Sequence, residues 1–270
     1  MFAQINHMAM ISHQYPMLSK FYESVFGLKT SAKSRPANSV SLGDGYVGLN
    51  LLPRRDGYMG GLDHFGVLVE DCDKVLTRMK AKHPSANMVK RPSTRPFAAY
   101  SGHDPDGNIF DMAQKKEDTR LDVYADIAEQ GWAQDRYINK FALRTVNAEK
   151  CADFYADVFE LQPVNKTCEM GGYHLTDGRV TLSILPWSID IFEGMSIKRP
   201  GPDHIGFKVE SVEALKATAK KVGGMNPYLA SVPLGGITES DVRADLFKRS
   251  ATGKYQMTDP DGTWIDITDE

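Results

Sequence analysis

Residues 21–28 read FYESVFGL, and residues 154–161 read FYADVFEL. These octapeptides are 133 positions apart, and the same offset relates VGLNLLP at 47–53 to VTLSILP at 180–186. Repeated matches at one offset indicate an internal duplication. The chain is therefore predicted to contain two homologous lobes.

A second level of repetition lies within each lobe. A strand that carries a polar pair is followed by an amphipathic helix and then by three short strands separated by turn residues. The first helix is predicted over 16–27, and its counterpart over 71–82. Pairing two such units buries the open face of each sheet. We predict an α+β fold in which four βαβββ units form two homologous lobes, each a curved half-barrel sheet around a cavity.

The repeats also define the predicted boundaries. The N-terminal lobe covers 1–114, a linker helix covers 115–135, and the C-terminal lobe covers 136–270. The segment DPDGNIFDM at 104–112 recurs as DPDGTWIDI after 155 residues, whereas GLDHFGVLVED at 61–71 recurs as GPDHIGFKVES after 140. The C-terminal lobe therefore contains an insertion before its last strand. We expect this insertion, residues 233–254, to form a long polar loop.

Composition places the chain among globular proteins. Its 270 residues are 41% hydrophobic and 25% charged, which suits packed cores and excludes disorder. A net charge of −3 and a pI near 6.2 give no reason to expect nucleic acid or a membrane as partner. Three widely spaced cysteines exclude a disulfide framework, and no secretory signal or membrane-length apolar run is recognisable. We predict a cytoplasmic protein that binds a small molecule, for which homodimerisation is compatible but not required.

Three side chains with metal-ligating atoms fall on otherwise small or apolar faces of strands in the N-terminal lobe. Period-two alternation places His7, His64 and Asp111 opposite the large apolar residues of their strands. Two histidines and one carboxylate with open coordination positions suit non-haem Fe(II) and related divalent metals. Such a metal binds substrate oxygens and O2, or acts as a Lewis acid. The alternative is that these strands simply retain polar residues facing a wet cavity.

The duplicated lobe provides an internal comparison. His204 and Asp266 are retained there, but Lys140 stands where His7 would be. Because an ammonium group is not a metal ligand, we predict an ionic cluster in a lobe without a metal. The metal-site prediction for the N-terminal lobe therefore depends on His7.

Further candidates lie on or beside the strand that precedes Asp111. Arg95 would pair with a substrate carboxylate. Tyr100 and His103 would serve as acid or base if they face the cavity. The alternatives are a solvated arginine, a packed tyrosine and an exposed turn histidine.

Together these residues give the chain its resemblance to the vicinal oxygen chelate superfamily, also called the glyoxalase/bleomycin resistance/extradiol dioxygenase superfamily. The resemblance is carried by the strand-borne His7, the Asp63-His64 strand followed by a helix, and DPDGNIFDM at the end of the lobe. It implies metal ligands at His7, His64 and Asp111. A four-unit chain with one metal lobe is similar to ring-cleaving extradiol dioxygenases. This similarity implies Fe(II), or else Mn(II), Zn(II) or Ni(II), and a catechol-like or enediol substrate.

The chain also departs from the family pattern. Asp111 replaces the usual Glu, the intact lobe is the N-terminal one, and the dioxygenase signature is absent around 95–111. Gly48 stands where glyoxalase-type lyases bring an extra Glu or Gln, which favours three protein ligands. Three functions remain open: an extradiol-type oxygenase, a metal-dependent lyase, isomerase or epimerase, and a metal-free drug- or metabolite-binding resistance protein.

Overall fold

The computed structural model describes residues 2–31, 39–92, 98–115, 134–190 and 199–270. The strands within these ranges form one sheet of eight strands and one of seven. The linker helix predicted for 115–135 lies, apart from its two ends, outside the described residues. No helix in the described ranges is long and apolar enough to cross a membrane.

Two βαβββ units build the N-terminal sheet. The first comprises β1 (Ala3–Ser12), α1 (Tyr15–Phe26), β2 (Lys29–Thr30), β3 (Val40–Gly43) and β4 (Gly48–Pro53). The second comprises β5 (Gly61–Val69), α2 (Cys72–Lys82), β6 (Met88–Lys90), β7 (Tyr100–His103) and β8 (Ile109–Gln114). The sheet order is β2-β3-β4-β1-β5-β8-β7-β6, with β1 and β5 antiparallel at its centre. Both predicted helices are confirmed to within one residue.

The C-terminal sheet repeats this plan with one change. Its first unit comprises β9 (Tyr137–Thr145), α3 (Ala148–Phe159), β10 (Gln162–Pro163), β11 (Tyr173–Thr176) and β12 (Thr181–Pro186). Its second comprises β13 (Gly201–Lys208), α4 (Val212–Met225), a 3₁₀ turn (Pro227–Leu229), α5 (Thr238–Ser250), β14 (Tyr255–Thr258) and β15 (Trp264–Thr268). The order is β10-β11-β12-β9-β13-β15-β14. The predicted α+β architecture is confirmed, although two strands rather than three follow α4 in the described residues.

The segment 233–254, predicted as a long loop, instead contains helix α5. This helix buries Leu246 and Phe247 against Trp264, and the rings of Phe247 and Trp264 stack with centroids 4.8 Å apart. Few side chains of α5 are apolar, so its sequence shows no clear helical stripe. The Phe247 ring also lies 5.2 Å from that of His204. The insertion therefore covers part of the concave face of the C-terminal lobe.

One hydrophobic core joins the two lobes. Aromatic rings from both lobes pack there: Phe26 stacks on Phe207 with centroids 3.9 Å apart, and Phe65 lies 5.1 Å from Phe141. Each such pair contributes about 0.5–1.5 kcal/mol beyond its buried area. Because the helices and one face of each sheet are used in this core, the opposite, concave faces are left for binding sites.

The first aspartate of each DPDG segment forms a hydrogen bond that links the two lobes. Asp104 accepts hydrogen bonds from backbone N–H groups of its own turn and from the Tyr155 hydroxyl of the other lobe, at 3.1 Å. Asp259 does the same with the Tyr22 hydroxyl, at 3.0 Å. Complete burial raises the pKa of Asp259 to about 7. The motif therefore has a structural role besides leading into the last strand of each lobe.

Candidate metal centre

Three strands of the N-terminal sheet bring His7, His64 and Asp111 together. One ligand atom of each lies within 4.8 Å of those of the other two. His7 Nε2 is 3.9 Å from Asp111 Oδ2, and His64 Nε2 is 3.3 Å from the same oxygen. The structure thus assembles all three residues that the sequence predicts as ligands.

Both imidazole rings are oriented through Nδ1. His7 Nδ1 lies 2.9 Å from Asn6 Oδ1, and His64 Nδ1 lies 2.7 Å from Asp63 Oδ2. An acceptor at Nδ1 holds the proton there and leaves Nε2 to bind a metal, as the outer partners of metal-bound histidines do. A register shift in β1 between Ile5 and His7 falls at Asn6, which allows that residue to reach the ring beside it.

Two glycines make room for the His7 ring. Gly66 pairs with His7 across β1 and β5, and a Cβ at Gly66 would lie 1.8 Å from His7 Cε1. Gly48 pairs with His7 on the other side and adds no side chain. The imidazole is therefore buried, with 1% exposure, in a space that any larger residue at position 66 would fill.

A hydrogen-bonded chain supports Asp111. The Ser101 hydroxyl donates to Asp111 Oδ1, and Arg91 Nε–H donates to Ser101 Oγ at 2.7 Å. The other guanidinium N–H groups of Arg91 have no hydrogen-bond partner among the described residues. Neither Ser101 nor Arg91 is predicted as a site residue from sequence. The available signal was that Ser101 lies in the strand preceding β8, where antiparallel pairing sets it opposite Asp111.

The charged side chains of the triad shift one another's pKa values. Burial pushes the pKa of His64 down, but hydrogen bonds to Asp111 and Asp63 outweigh it and raise that pKa to about 9. Burial likewise pushes the pKa of Asp111 up, but His64 and His7 lower it to about 2. Without metal, His64 is therefore a cation between two carboxylates. His64 would have to lose its Nε2 proton in order to hold a divalent cation here.

The donor set fits a divalent metal. Ligand atoms about 2.1 Å from a metal and at right angles to each other are separated by about 3 Å. The two histidine–Asp111 separations of 3.3 and 3.9 Å exceed this value by 0.3 and 0.9 Å, so the side chains would have to draw together around an ion. Two imidazole nitrogens and one carboxylate correspond to the facial triad of non-haem Fe(II) sites. Within the described ranges, no other group of His, Cys, Asp and Glu places three ligand atoms this close together.

Tyr100 does not face the triad. It pairs with Met112 and packs against the hydrophobic core, on the face of β7 opposite to Ser101. Its position corresponds to the alternative of a packed tyrosine, because strand alternation turns it away from Asp111. Arg95 lies outside the described residues.

His103 lies on the same face of β7 as Ser101. It pairs with Ile109 of β8, and its Nδ1 lies 2.8 Å from the backbone oxygen of Asp104. It belongs to a strand rather than to the turn. Its orientation is therefore compatible with the predicted role as acid or base.

In the C-terminal lobe an ion pair stands in place of the triad. Lys140 Nζ donates to Asp266 Oδ2 and to Thr252 Oγ1, and both charged side chains are buried. The predicted ionic contact is therefore confirmed for Lys140 and Asp266. His204 makes no hydrogen bond to this pair, because its Nδ1 lies 2.7 Å from Asp203 Oδ2 and its Nε2 has no hydrogen-bond partner among the described residues, but its charge helps to lower the pKa of Asp266. The lysine supplies a built-in cation beside the carboxylate.

Comparisons with known proteins agree with this geometry. Residues 4–112 match the family model of the Glyoxalase/Bleomycin resistance protein/Dioxygenase superfamily. The chain is similar in structure to the 2,3-dioxygenase LapB from Pseudomonas sp. KL28, with a TM-score of 0.65 and 12% identity over 99% of this chain and 92% of that one. It is also similar to the Mn(II)-bound glyoxalase from Novosphingobium aromaticivorans, with a TM-score of 0.64 and 16% identity over 100% and 82% of the two chains.

A third similar structure is an extradiol ring-cleaving dioxygenase from B. fuscum, with a TM-score of 0.63 and 13% identity over 100% of this chain and 72% of that one. A search of curated proteins found no match. At these identities the structural likeness shows a shared fold. The family match covers the lobe that holds the candidate metal centre, and this lobe belongs to the glyoxalase/bleomycin resistance/dioxygenase superfamily.

Proposed function

We propose that the chain is a metal-dependent oxygenase of the extradiol ring-cleaving type, which uses Fe(II) to act on a small catechol-like or enediol substrate. The observation that carries this proposal is the convergence of His7, His64 and Asp111 from three strands, with Gly48 beside them. The likeness to two solved dioxygenases supports it. When bound, the metal supplies a Lewis-acidic, redox-active centre at which substrate and O2 meet.

Arg91 gives the site a preference for an anionic substrate. Its Nε–H is committed to Ser101, which holds the guanidinium near Asp111 while its other donors have no described partner. A guanidinium binds a carboxylate through two parallel hydrogen bonds. We therefore add Arg91 to the proposed substrate site, and the role of Arg95 stays a prediction.

His103 is the residue that we propose to move a proton. The backbone oxygen of Asp104 holds its Nδ1, which leaves Nε2 as a proton acceptor. The side chain is half-buried on the face of the sheet that carries Asp111. This arrangement suits general acid–base work beside the proposed metal centre.

A second candidate function is a metal-dependent lyase or isomerase of glyoxalase type. It is favoured by the likeness to the Mn(II)-bound glyoxalase, which extends over 100% of this chain. In this case the triad would hold Mn(II), Zn(II) or Ni(II), which would supply Lewis acidity toward a carbonyl group, and His103 would transfer the proton. A metal-free binding protein gives no reason for three ligand atoms to converge. A cytoplasmic location stays a prediction for each of these functions.

Elemental analysis of anaerobically purified protein tests the proposal. We expect near-stoichiometric iron or manganese in the wild type and its loss in His7→Ala and His64→Ala. His204→Ala is the matched control, because this histidine has the equivalent position in the other lobe and a preceding aspartate at Nδ1. Oxygen uptake with catechols then supports the oxygenase. Zinc, nickel or cobalt without oxygen uptake supports the lyase, and no metal after reconstitution refutes both.

A further inference from the structure

A cavity of about 270 Å³ lies in the C-terminal lobe. The residues lining it that matter here are Asn139, Lys140, Lys166, Thr252, Asp266 and Glu270. Two of its lining residues, Lys140 and Asp266, are equivalent in position to His7 and Asp111 and form the ion pair. The α5 helix covers a neighbouring part of the same face, beside His204. The proposed metal chemistry of the other lobe makes no use of this cavity.

The charges that line the cavity are compensated, with one exception. Lys140 pairs with Asp266, and Glu270 pairs with Lys254 at 2.6 Å. Lys166 has neither a hydrogen bond nor an ion pair for its ammonium group within the described part of the chain. Burial and the neighbouring Lys140 lower the pKa of Lys166 by more than the attraction of Asp266 raises it, so the ammonium charge of Lys166 is only partly compensated. An anion bound in the cavity would compensate the positive charge of Lys166.

Asn139 is a second lining residue with an unsatisfied polar atom, in this case an uncharged one. Its Oδ1 is buried, and no described residue donates a hydrogen bond to it. The equivalent Asn6 uses the same atom to hold His7 Nδ1 at 2.9 Å, whereas Lys140 has no ring nitrogen to offer. A buried acceptor is costly to leave unpaired. A ligand that donates a hydrogen bond would satisfy it.

We propose that this cavity binds a small monoanionic hydroxycarboxylate. The carboxylate pairs with Lys166 and accepts the remaining N–H of Lys140, whose other donors are used by Asp266 and Thr252. The ligand hydroxyl donates to Asn139 Oδ1. Since a water occupies about 30 Å³, the cavity holds roughly nine waters, or a ligand of about three to six carbons.

Titration calorimetry with lactate, glycerate and 3-hydroxybutyrate tests this site. Phenanthroline, an uncharged chelator, keeps the metal centre out of the measurement. We expect saturable binding of at least one of the three acids. Propionate lacks the hydroxyl of lactate and lactamide lacks its charge, and each should bind at least tenfold more weakly than lactate. Lys166→Gln should weaken binding by a similar factor. Lys150→Gln, which changes an exposed lysine of α3 that does not line the cavity, should have no effect.

The proposal is supported if binding persists with the chelator and is weakened by Lys166→Gln alone. It is overturned if none of the three acids binds at about 10 mM, a concentration that detects affinities of only a few kcal/mol. Equal binding in wild type and Lys166→Gln would also overturn it, as would equal binding of lactate and propionate. Because the metal centre takes no part in these titrations, their failure leaves the proposed ring cleavage untouched.

Discussion

Replacing Gly66 with alanine should remove the metal while leaving the lobe folded. The new Cβ would lie 1.8 Å from Cε1, 2.3 Å from Nδ1 and 2.5 Å from Nε2 of His7. An ordinary contact of 3.4 Å requires the ring to retreat by about 1.6 Å. Metal–nitrogen bonds are about 2.0–2.1 Å long and tolerate about 0.2 Å, so His7 cannot remain a ligand. The overpacking itself costs about 1–3 kcal/mol of stability.

Loss of one ligand of three should weaken metal binding by at least about 100-fold, or about 2.7 kcal/mol of binding free energy. Competition against a fluorescent chelator measures this affinity. The matched control is Gly206→Ala, whose added Cβ would lie 2.7 Å from Lys140 Cβ. This substitution crowds the equivalent position of the lobe that holds the ion pair. We expect it to reduce stability but to leave metal affinity at the wild-type value.

Thermal melts in the presence of a chelator separate folding from metal binding, and both variants should unfold cooperatively. A folded Gly66→Ala protein that binds metal as tightly as the wild type would refute the reasoning, because His7 would then not be a ligand held in place by this glycine. An equal loss of affinity in Gly206→Ala would show that metal binding depends on general packing.

Three further changes test other parts of the structure. Burial raises the pKa of Asp259 to about 7, so the folded state favours the neutral carboxyl. The resulting stability is fully present below the unfolded pKa of about 4 and is lost as pH rises through 7. Urea titrations should show this loss, of the order of 4 kcal/mol, in the wild type but not in Asp259→Asn. Tyr155→Phe removes the donor to buried Asp104 and should lower the free energy of unfolding by about 1–3 kcal/mol in the same assay. Phe247→Ala should cost about 3–5 kcal/mol in thermal or urea unfolding and leave metal content unchanged.

Each of these expectations has a result that would contradict it. Equal pH dependence in the wild type and Asp259→Asn would show that this carboxyl does not control the titration. Unchanged stability of Tyr155→Phe would show that the hydrogen bond between Tyr155 and Asp104 does not help to hold the lobes together. Loss of metal in a folded Phe247→Ala protein would couple α5 to the N-terminal site, contrary to its contacts in the C-terminal lobe.

Much of the fold was accessible from sequence because local pattern and tertiary burial agree in these units. Helix α1 buries a single stripe of side chains, so apolar spacing marks both its length and its inner face. The triad was accessible for a similar reason. Strand alternation assigns His7, His64 and Asp111 to faces whose other residues are small or apolar, and the sheet then brings these faces together.

The remaining features depend on partners that are distant in sequence. Helix α5 is held by Phe247 stacking on Trp264, and no pattern within the helix reveals that contact. Arg91 reaches Asp111 only through Ser101, which becomes clear once the register of β7 and β8 is known. The face on which Tyr100 lies depends on the register of β7, because neighbouring residues of one strand lie on opposite faces.

The two tyrosine–aspartate hydrogen bonds between the lobes are informative about how the duplicated chain arose. Tyr22 and Asp104 both belong to the N-terminal half, yet each contacts the other half, where Asp259 and Tyr155 reciprocate. Each half thus carries both members of a self-complementary contact, as the subunits of a twofold-symmetric dimer do. Fusion of two such subunits would preserve their interface. One of the two copies could then lose its His-His-Asp set. The ion pair at Lys140 is then a divergence from the His-His-Asp set that the other half retains.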